Sequence, residues 1–169
     1  GAGGTGFIVA VTAANGARFL YLITNAHVAS MDTCHLRVPQ VAGGATVVSL
    51  DHMMWTKHRD GDDVAAYRLQ PQPEWDATAI EWNDLAATPS RLQELNIGVG
   101  DEIFMLGRFI SHQGKQRAQP LARFGNISMM PGELVHDGRG YDVEAFLIEM
   151  RSLSGFSGSP VFVYVGPGT

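Results

Sequence analysis

The apolar residues of this chain come in short runs, and each run is closed off by turn residues. Phe7-Ile8-Val9-Ala10-Val11, Phe19-Leu20-Tyr21-Leu22-Ile23-Thr24 and Ala145-Phe146-Leu147-Ile148-Glu149-Met150 set the pattern. Twenty glycines and eight prolines are spread among such runs in 169 residues. Runs this short suit strands better than helices, and Gly and Pro at this density mark turns. The chain is therefore predicted to be all-β. Further strands are expected at 36–38, 46–50, 53–56, 63–69, 102–107 and 161–165, with a strand pair or bulged strand over 121–130 around Gly125-Asn126. Asn15-Gly16 is the residue pair of a two-residue hairpin turn. The segments 111–119 and 131–140 are polar and read as loops.

One stretch breaks this rhythm. Residues 71–95 hold three prolines and two tryptophans without a period of two, and read as a connector with a helical turn near 90–95. The expected organisation is a first lobe over 1–70, a connector over 71–95 and a second lobe over 96–169. At 45% hydrophobic and 17% charged residues, the chain suits one unit with a sizeable core or two small lobes sharing an interface.

Composition excludes several classes of function. The net charge is -5 and the ten arginines and two lysines are scattered, so no basic stripe points to nucleic acid. No apolar run approaches the roughly 18 residues that a membrane span needs. The first residues lack the basic start and long apolar stretch of a signal peptide. Cys34 is the only cysteine, which rules out an internal disulfide and suits a reducing compartment such as the cytoplasm. There is no H-E-x-x-H, and one cysteine cannot anchor a structural zinc site, so neither a metal nor any other cofactor is expected.

The stretch with most chemical content is Gly155-Phe156-Ser157-Gly158-Ser159-Pro160. Small residues crowd around one serine, which a tight turn can display to a substrate. Gly155 can take backbone angles closed to other residues. That freedom lets the N–H groups of Gly155 and Ser157 point at one spot, as an oxyanion hole requires. The bland alternative is a Ser/Gly/Pro turn ahead of an edge strand. Chain order narrows the chemistry. In α/β-hydrolases the acid and histidine follow the serine of G-x-S-x-G, but no Asp, Glu or His follows Ser157. In subtilisins an acid precedes the histidine, but no acidic residue precedes His27. A Ser–Lys dyad of the S-x-x-K type is absent, since the only lysines are Lys57 and Lys115. The order His, Asp, Ser remains.

His27 sits among small residues just beyond an apolar run, in Asn25-Ala26-His27-Val28-Ala29. A helix-start or core histidine is the plain alternative. Asp63 opens the run Asp63-Val64-Ala65-Ala66-Tyr67-Arg68-Leu69, whereas Asp60, Asp62 and His58 belong to a polar turn. Attachment to an apolar segment makes Asp63 the acid best placed to be held beside His27.

These motifs resemble the trypsin-like, chymotrypsin-fold serine peptidases. Thr24-Asn25-Ala26-His27-Val28 resembles the family's T-A-A-H-C, and more closely the T-N-x-H-V of bacterial HtrA/Deg-type members. Asp63-Val64-Ala65-Ala66-Tyr67 resembles D-[IL]-A-[LV]-[LI], and the serine stretch resembles G-[DN]-S-G-G-P. Gly4-Thr5-Gly6-Phe7-Ile8 is similar to the G-S-G-F-I of bacterial members, and 99–107 to their V-G-D-x-V-x-x-I-G. The resemblance implies two antiparallel six-stranded β-barrels with the site between them. Family members carry a strand before the first of these segments and more strands after the serine, so both barrels are expected to be incomplete in this sequence. It also implies a serine endopeptidase acting through an acyl-enzyme. Ser157 would attack the peptide carbonyl, His27 would move its proton, Asp63 would orient the imidazole, and the N–H groups of Gly155 and Ser157 would hold the oxyanion. The implied partners are a protein or peptide substrate, with other domains or a regulatory partner. Arg151, six residues before the serine, matches the family's pocket-base position, where a cation would favour an acidic substrate residue. An exposed arginine, or one paired with Glu149, is the alternative.

The departures from the pattern carry meaning. Val28 stands where animal members have a disulfide cysteine, and Ser159 where the pattern has glycine. Phe156 replaces the Asp that pairs with a freed N-terminal ammonium, and a phenyl ring cannot make that ion pair. This substitution motivates a rival reading, a peptide-binding or sensor module that is inert or switched on by a partner. Hydrolysis of esters rather than peptides is a third.

Overall fold

Regular structure begins with a hairpin. In a computed structural model, which describes residues 3–30, 34–107, 120–136, 142–151 and 155–166, β1 (Phe7–Thr12) and β2 (Arg18–Thr24) pair antiparallel from Phe7↔Ile23 to Thr12↔Arg18. The turn between them is not the expected two-residue one. Gly16 N donates to Ala13 O and Ala13 N to Ala17 O. Gly16 has φ 81°, while Asn15 is not among the positive-φ residues. The connection is thus a three-residue turn closed by a left-handed glycine. Asn15 Oδ1 accepts from Ala17 N at 3.0 Å, which ties Asn15 to the backbone beyond the turn.

The strands that follow build one sheet and one separate ribbon. After the single-turn helix α1 (Ala26–Ala29) come β3 (Cys34–Pro39) and β4 (Ala45–Leu50), a two-stranded ribbon. Then come β5 (Trp55–Lys57) and β6 (Ala65–Leu69), and β6 lies against β2. The strand expected over 53–56 is only half formed. His52–Met54 make a 3₁₀ turn, because the Asp51 side chain captures the Met53 N–H and caps it. Within 71–95, β7 (Ala79–Glu81) pairs parallel with β1, giving the sheet order β5-β6-β2-β1-β7. The short helices α2 (Trp82–Leu85) and α3 (Pro89–Glu94) follow, the latter capped by the Thr88 side chain with Pro89 in its first turn. Asn83 is bonded to Thr12, and Arg18 to Glu81 at 2.6 Å, so this segment is fastened along the first hairpin. Leu22, Ala29, Leu50, Trp55, Ala65 and Leu69 form the buried cluster, with Leu36 and Val48 of the ribbon packed on it. Apolar burial of this kind is the main stabilising contribution to such a unit.

The remaining strands form a second, four-stranded sheet and a separate two-stranded hairpin. These are β8 (Glu102–Gly107), β9 (Leu121–Met129), β10 (Leu134–His136), β11 (Asp142–Glu144), β12 (Leu147–Met150) and β13 (Val161–Val163). Four of them run antiparallel in the order β12-β9-β8-β13. The stretch over 121–130 is one strand, with a register shift opposite Leu147/Ile148. β10 and β11 pair as a hairpin where the polar sequence over 131–140 predicted only loop. The loop expected over 111–119 lies outside the described residues.

The chain is mostly strand with few helices, as expected. The expected six-stranded barrels differ from what is seen: among the described residues every sheet is open, with no pairing of its first strand to its last. The ribbon β3-β4 is not hydrogen-bonded into the five-stranded sheet. No helix among the described residues is long and apolar enough to cross a membrane.

Candidate active site

His27 rides on α1, immediately after β2 ends at Thr24. The register Thr24↔Ala65 between β2 and β6 brings the chain just before β6 alongside that helix. Asp63 arrives there and contacts His27 twice. Its Oδ2 lies 2.6 Å from His27 Nδ1, and its Oδ1 accepts from the His27 backbone N–H at 2.9 Å. Asn25 Nδ2 donates to the Asp63 carbonyl at 2.7 Å, fixing the backbone behind the carboxylate. An ionised carboxylate only accepts, so the proton on this side belongs to Nδ1 and the Nε2 lone pair is left facing away. The side chains of His27 and Asp63 are 40% and 33% exposed, so the pair is open on one side. The neighbouring acid goes elsewhere: Asp62 Oδ2 is 3.2 Å from His58 Nδ1.

Ser157 stands on a turn shaped by two left-handed glycines, Gly155 at φ 100° and Gly158 at φ 83°. Ser159 N donates to the Phe156 carbonyl at 3.0 Å and closes the turn. Phe156 is only 6% exposed. Its ring lies against Gly107, with the Arg123 guanidinium 5.6 Å above it. The turn is also fastened to the first sheet. Thr5 N donates to the Ser157 carbonyl at 2.8 Å, and Thr5 Oγ1 to the Gly155 carbonyl at 2.8 Å. Thr24 Oγ1 in turn donates to the Thr5 carbonyl at 2.7 Å. A Cβ on Gly158 would fall onto Thr5 O and Thr24 Oγ1 and lie 3.2 Å from Asn25 N. One on Gly4 would be 2.8 Å from the Val28 side chain and 3.0 Å from Ser157 O. The serine turn therefore sits against the backbone that leads into His27.

Residues 4–166 match the trypsin-like peptidase domain. The chain belongs to the trypsin-like peptidase family. The fold is also that of Deg5, whose crystal structure matches with a TM-score of 0.57 at 14% identity, covering 94% of this chain and 73% of that one. No curated protein is similar enough to count as a relative.

Of the residues that the sequence singles out in this trypsin-like peptidase, His27 and Asp63 are in contact. Ser157 is exposed and lies beside their segment, but its Oγ makes no hydrogen bond to His27 among those described. Gly155, the other candidate oxyanion donor, is buried with its carbonyl held by Thr5. Arg151 is exposed and forms no ion pair with Glu149. Among the described residues, no group of three His, Cys, Asp or Glu side chains gathers to hold a metal. Sequence reasoning did not assign roles to Asn25, Thr24 and Thr5. For Thr5 the signal lay in Gly4-Thr5-Gly6, where a hydrogen-bonding side chain stands between two glycines.

Proposed function

We propose that the chain is a serine endopeptidase working through an acyl-enzyme. The observation that carries this reading is the doubly bonded His27–Asp63 pair beside a serine displayed on a left-handed turn. Ser157 Oγ attacks the carbonyl carbon of a peptide bond and its proton passes to His27 Nε2. The imidazolium then protonates the leaving amine, and water releases the acyl group by the same route. Asp63 keeps the imidazole in the required tautomer and stabilises its charged form. The N–H groups of Gly155 and Ser157 receive the oxyanion, and losing one such donor typically costs roughly 2.7–4 kcal/mol of barrier. Residues 1–70 and 96–169 act as two β lobes joined by 71–95, with the site between them. Arg151 is the candidate for the base of the specificity pocket.

A second reading is favoured by one observation. With no hydrogen bond described from Ser157 Oγ to His27, the fold suits equally a peptide-binding module whose triad closes only when a partner or substrate binds. An organophosphonate probe separates the two. A peptidase labels Ser157 rapidly with no partner present. Labelling that occurs only after a peptide or partner is added supports the module, and no labelling under any condition overturns both enzyme readings.

A further inference from the structure

Three successive carbonyls of the serine turn are held, and Thr5 holds two of them. Its hydroxyl takes the carbonyl of Gly155 and its amide that of Ser157, while Ser159 N takes the carbonyl between them, that of Phe156. A peptide unit is planar, so fixing its carbonyl fixes its N–H as well. The units on both sides of Ser157 are thereby set, and the serine hydroxyl is left to move only about its own χ1. The Ser157 N–H, a candidate oxyanion donor, points opposite the Phe156 carbonyl and is set with it. Thr5 is itself anchored by Thr24, which is 6% exposed and ends the strand leading to His27. We propose that Thr5, held by Thr24, is a positioning residue that sets the nucleophile Ser157 against His27 by fixing the two peptide units that flank the one carrying the Ser157 N–H.

This inference rests on the peptidase reading above. It differs from simple fold reinforcement in what it demands. Reinforcement alone lowers the melting temperature and leaves the folded protein equally reactive. Positioning lowers reactivity in the folded protein, because a displacement near 1 Å can cost about a hundredfold in rate.

The test compares Thr5→Val, which removes the hydroxyl but keeps the shape and the backbone N–H, with Thr5→Ser, which keeps the donor. Two readouts are taken on the folded protein: the rates of phosphonate labelling and peptide-ester hydrolysis, and amide hydrogen exchange over 155–159. Thr5→Val is expected to lower the labelling rate and kcat about tenfold or more with KM within about twofold, because the lost interaction orients rather than binds. Exchange over 155–159 quickens in the same variant, and Thr5→Ser restores both readouts. Thr24→Val acts in the same direction, and the double valine variant is no worse than Thr5→Val alone, since the two residues form one relay. Should Thr5→Val fail to fold, Thr24→Val, which leaves both Thr5 donors in place, carries the same readouts. A Thr5→Val protein that labels and exchanges like the parent overturns the proposal. If the parent itself does not label, the peptidase reading fails, and exchange over 155–159 alone decides the role of Thr5: faster in the valine variant supports it, unchanged refutes it.

Discussion

The two halves of the candidate site are held in different ways. His27 lies just beyond β2 and Asp63 just before β6, neighbouring strands of one sheet, and Asn25 of the same segment holds the Asp63 carbonyl. Beneath them lies the buried cluster of Leu22, Ala29, Trp55 and Ala65. On the Ser157 side, the second sheet buries Ile103, Ile127 and Phe156 but leaves part of one face open. Phe104 stacks on Phe162 and meets Phe124, yet Phe124 is 77% exposed. The bonds fastening the Ser157 turn reach Thr5, 150 residues from Gly155. One half of the site is thus a property of a single sheet, and the other exists only where the two sheets meet. Perturbing either sheet should therefore damage the serine side, while perturbing the first sheet should damage the His27–Asp63 side most.

The largest effect that bears on this contrast is chemical. Ser157→Ala or His27→Ala should each lower ester hydrolysis by about 10⁴-fold or more without changing the melting temperature, since such residues act as a unit. Steady-state kinetics beside calorimetry checks both halves of that statement. Next comes the joint between the sheets. Gly158→Ala places a side chain at φ 83° and onto the Thr5–Thr24 bond. It should cost about 3 kcal/mol of stability and about a hundredfold in labelling rate. A fully reactive Gly158→Ala protein would mean that the joint does not govern the serine.

Smaller effects sharpen the contrast in packing. Leu22→Ala opens the first core and should cost about 2–5 kcal/mol in chemical denaturation, whereas Phe124→Ser, on an exposed face, should stay within about 0.5 kcal/mol. Equal losses would mean that the Phe124 face is covered in solution. Smaller still, His58→Ala and Asp62→Ala remove only an exposed pair, with side chains 44% and 39% exposed. Activity should stay within a few-fold and stability within about 1 kcal/mol. If Asp62→Ala proved as damaging as Asp63→Ala, the reading of which acid serves His27 would be wrong. Least of all, burial pushes the Cys34 thiol up from its ordinary value. Its thiolate fraction at neutral pH is therefore lower in the folded protein, and alkylation should be slower than in urea.

Local pattern made part of this legible. β8 (Glu102–Gly107) has the bounds that its apolar run predicted, and Pro89–Glu94 is helical where a turn was expected. His27 and Asp63 stood out because each adjoins an apolar run that becomes a strand packed on its neighbour. What stayed hidden was non-local. Nothing in Ala79–Glu81 announces a parallel partner 71 residues earlier, since that pairing is decided by the free edge of β1. β10–β11 is two three-residue strands in polar sequence, too short to show a period. The Thr5–Gly155 bond follows no spacing rule, because it depends on how one sheet docks on the other.

The Thr5 anchor has a consequence for how the molecule is made. Synthesis delivers the anchor well before the turn it fastens, 150 residues further along. A nascent chain ended at residue 150 already contains β1, β2 and β6, and with them His27 and Asp63. It lacks Ser157. When Ser157 leaves the ribosome, its turn must still find a threonine made about 150 residues earlier, so the two parts of the site come together only after the second sheet has docked on the first. Until then the His27–Asp63 pair waits without its serine.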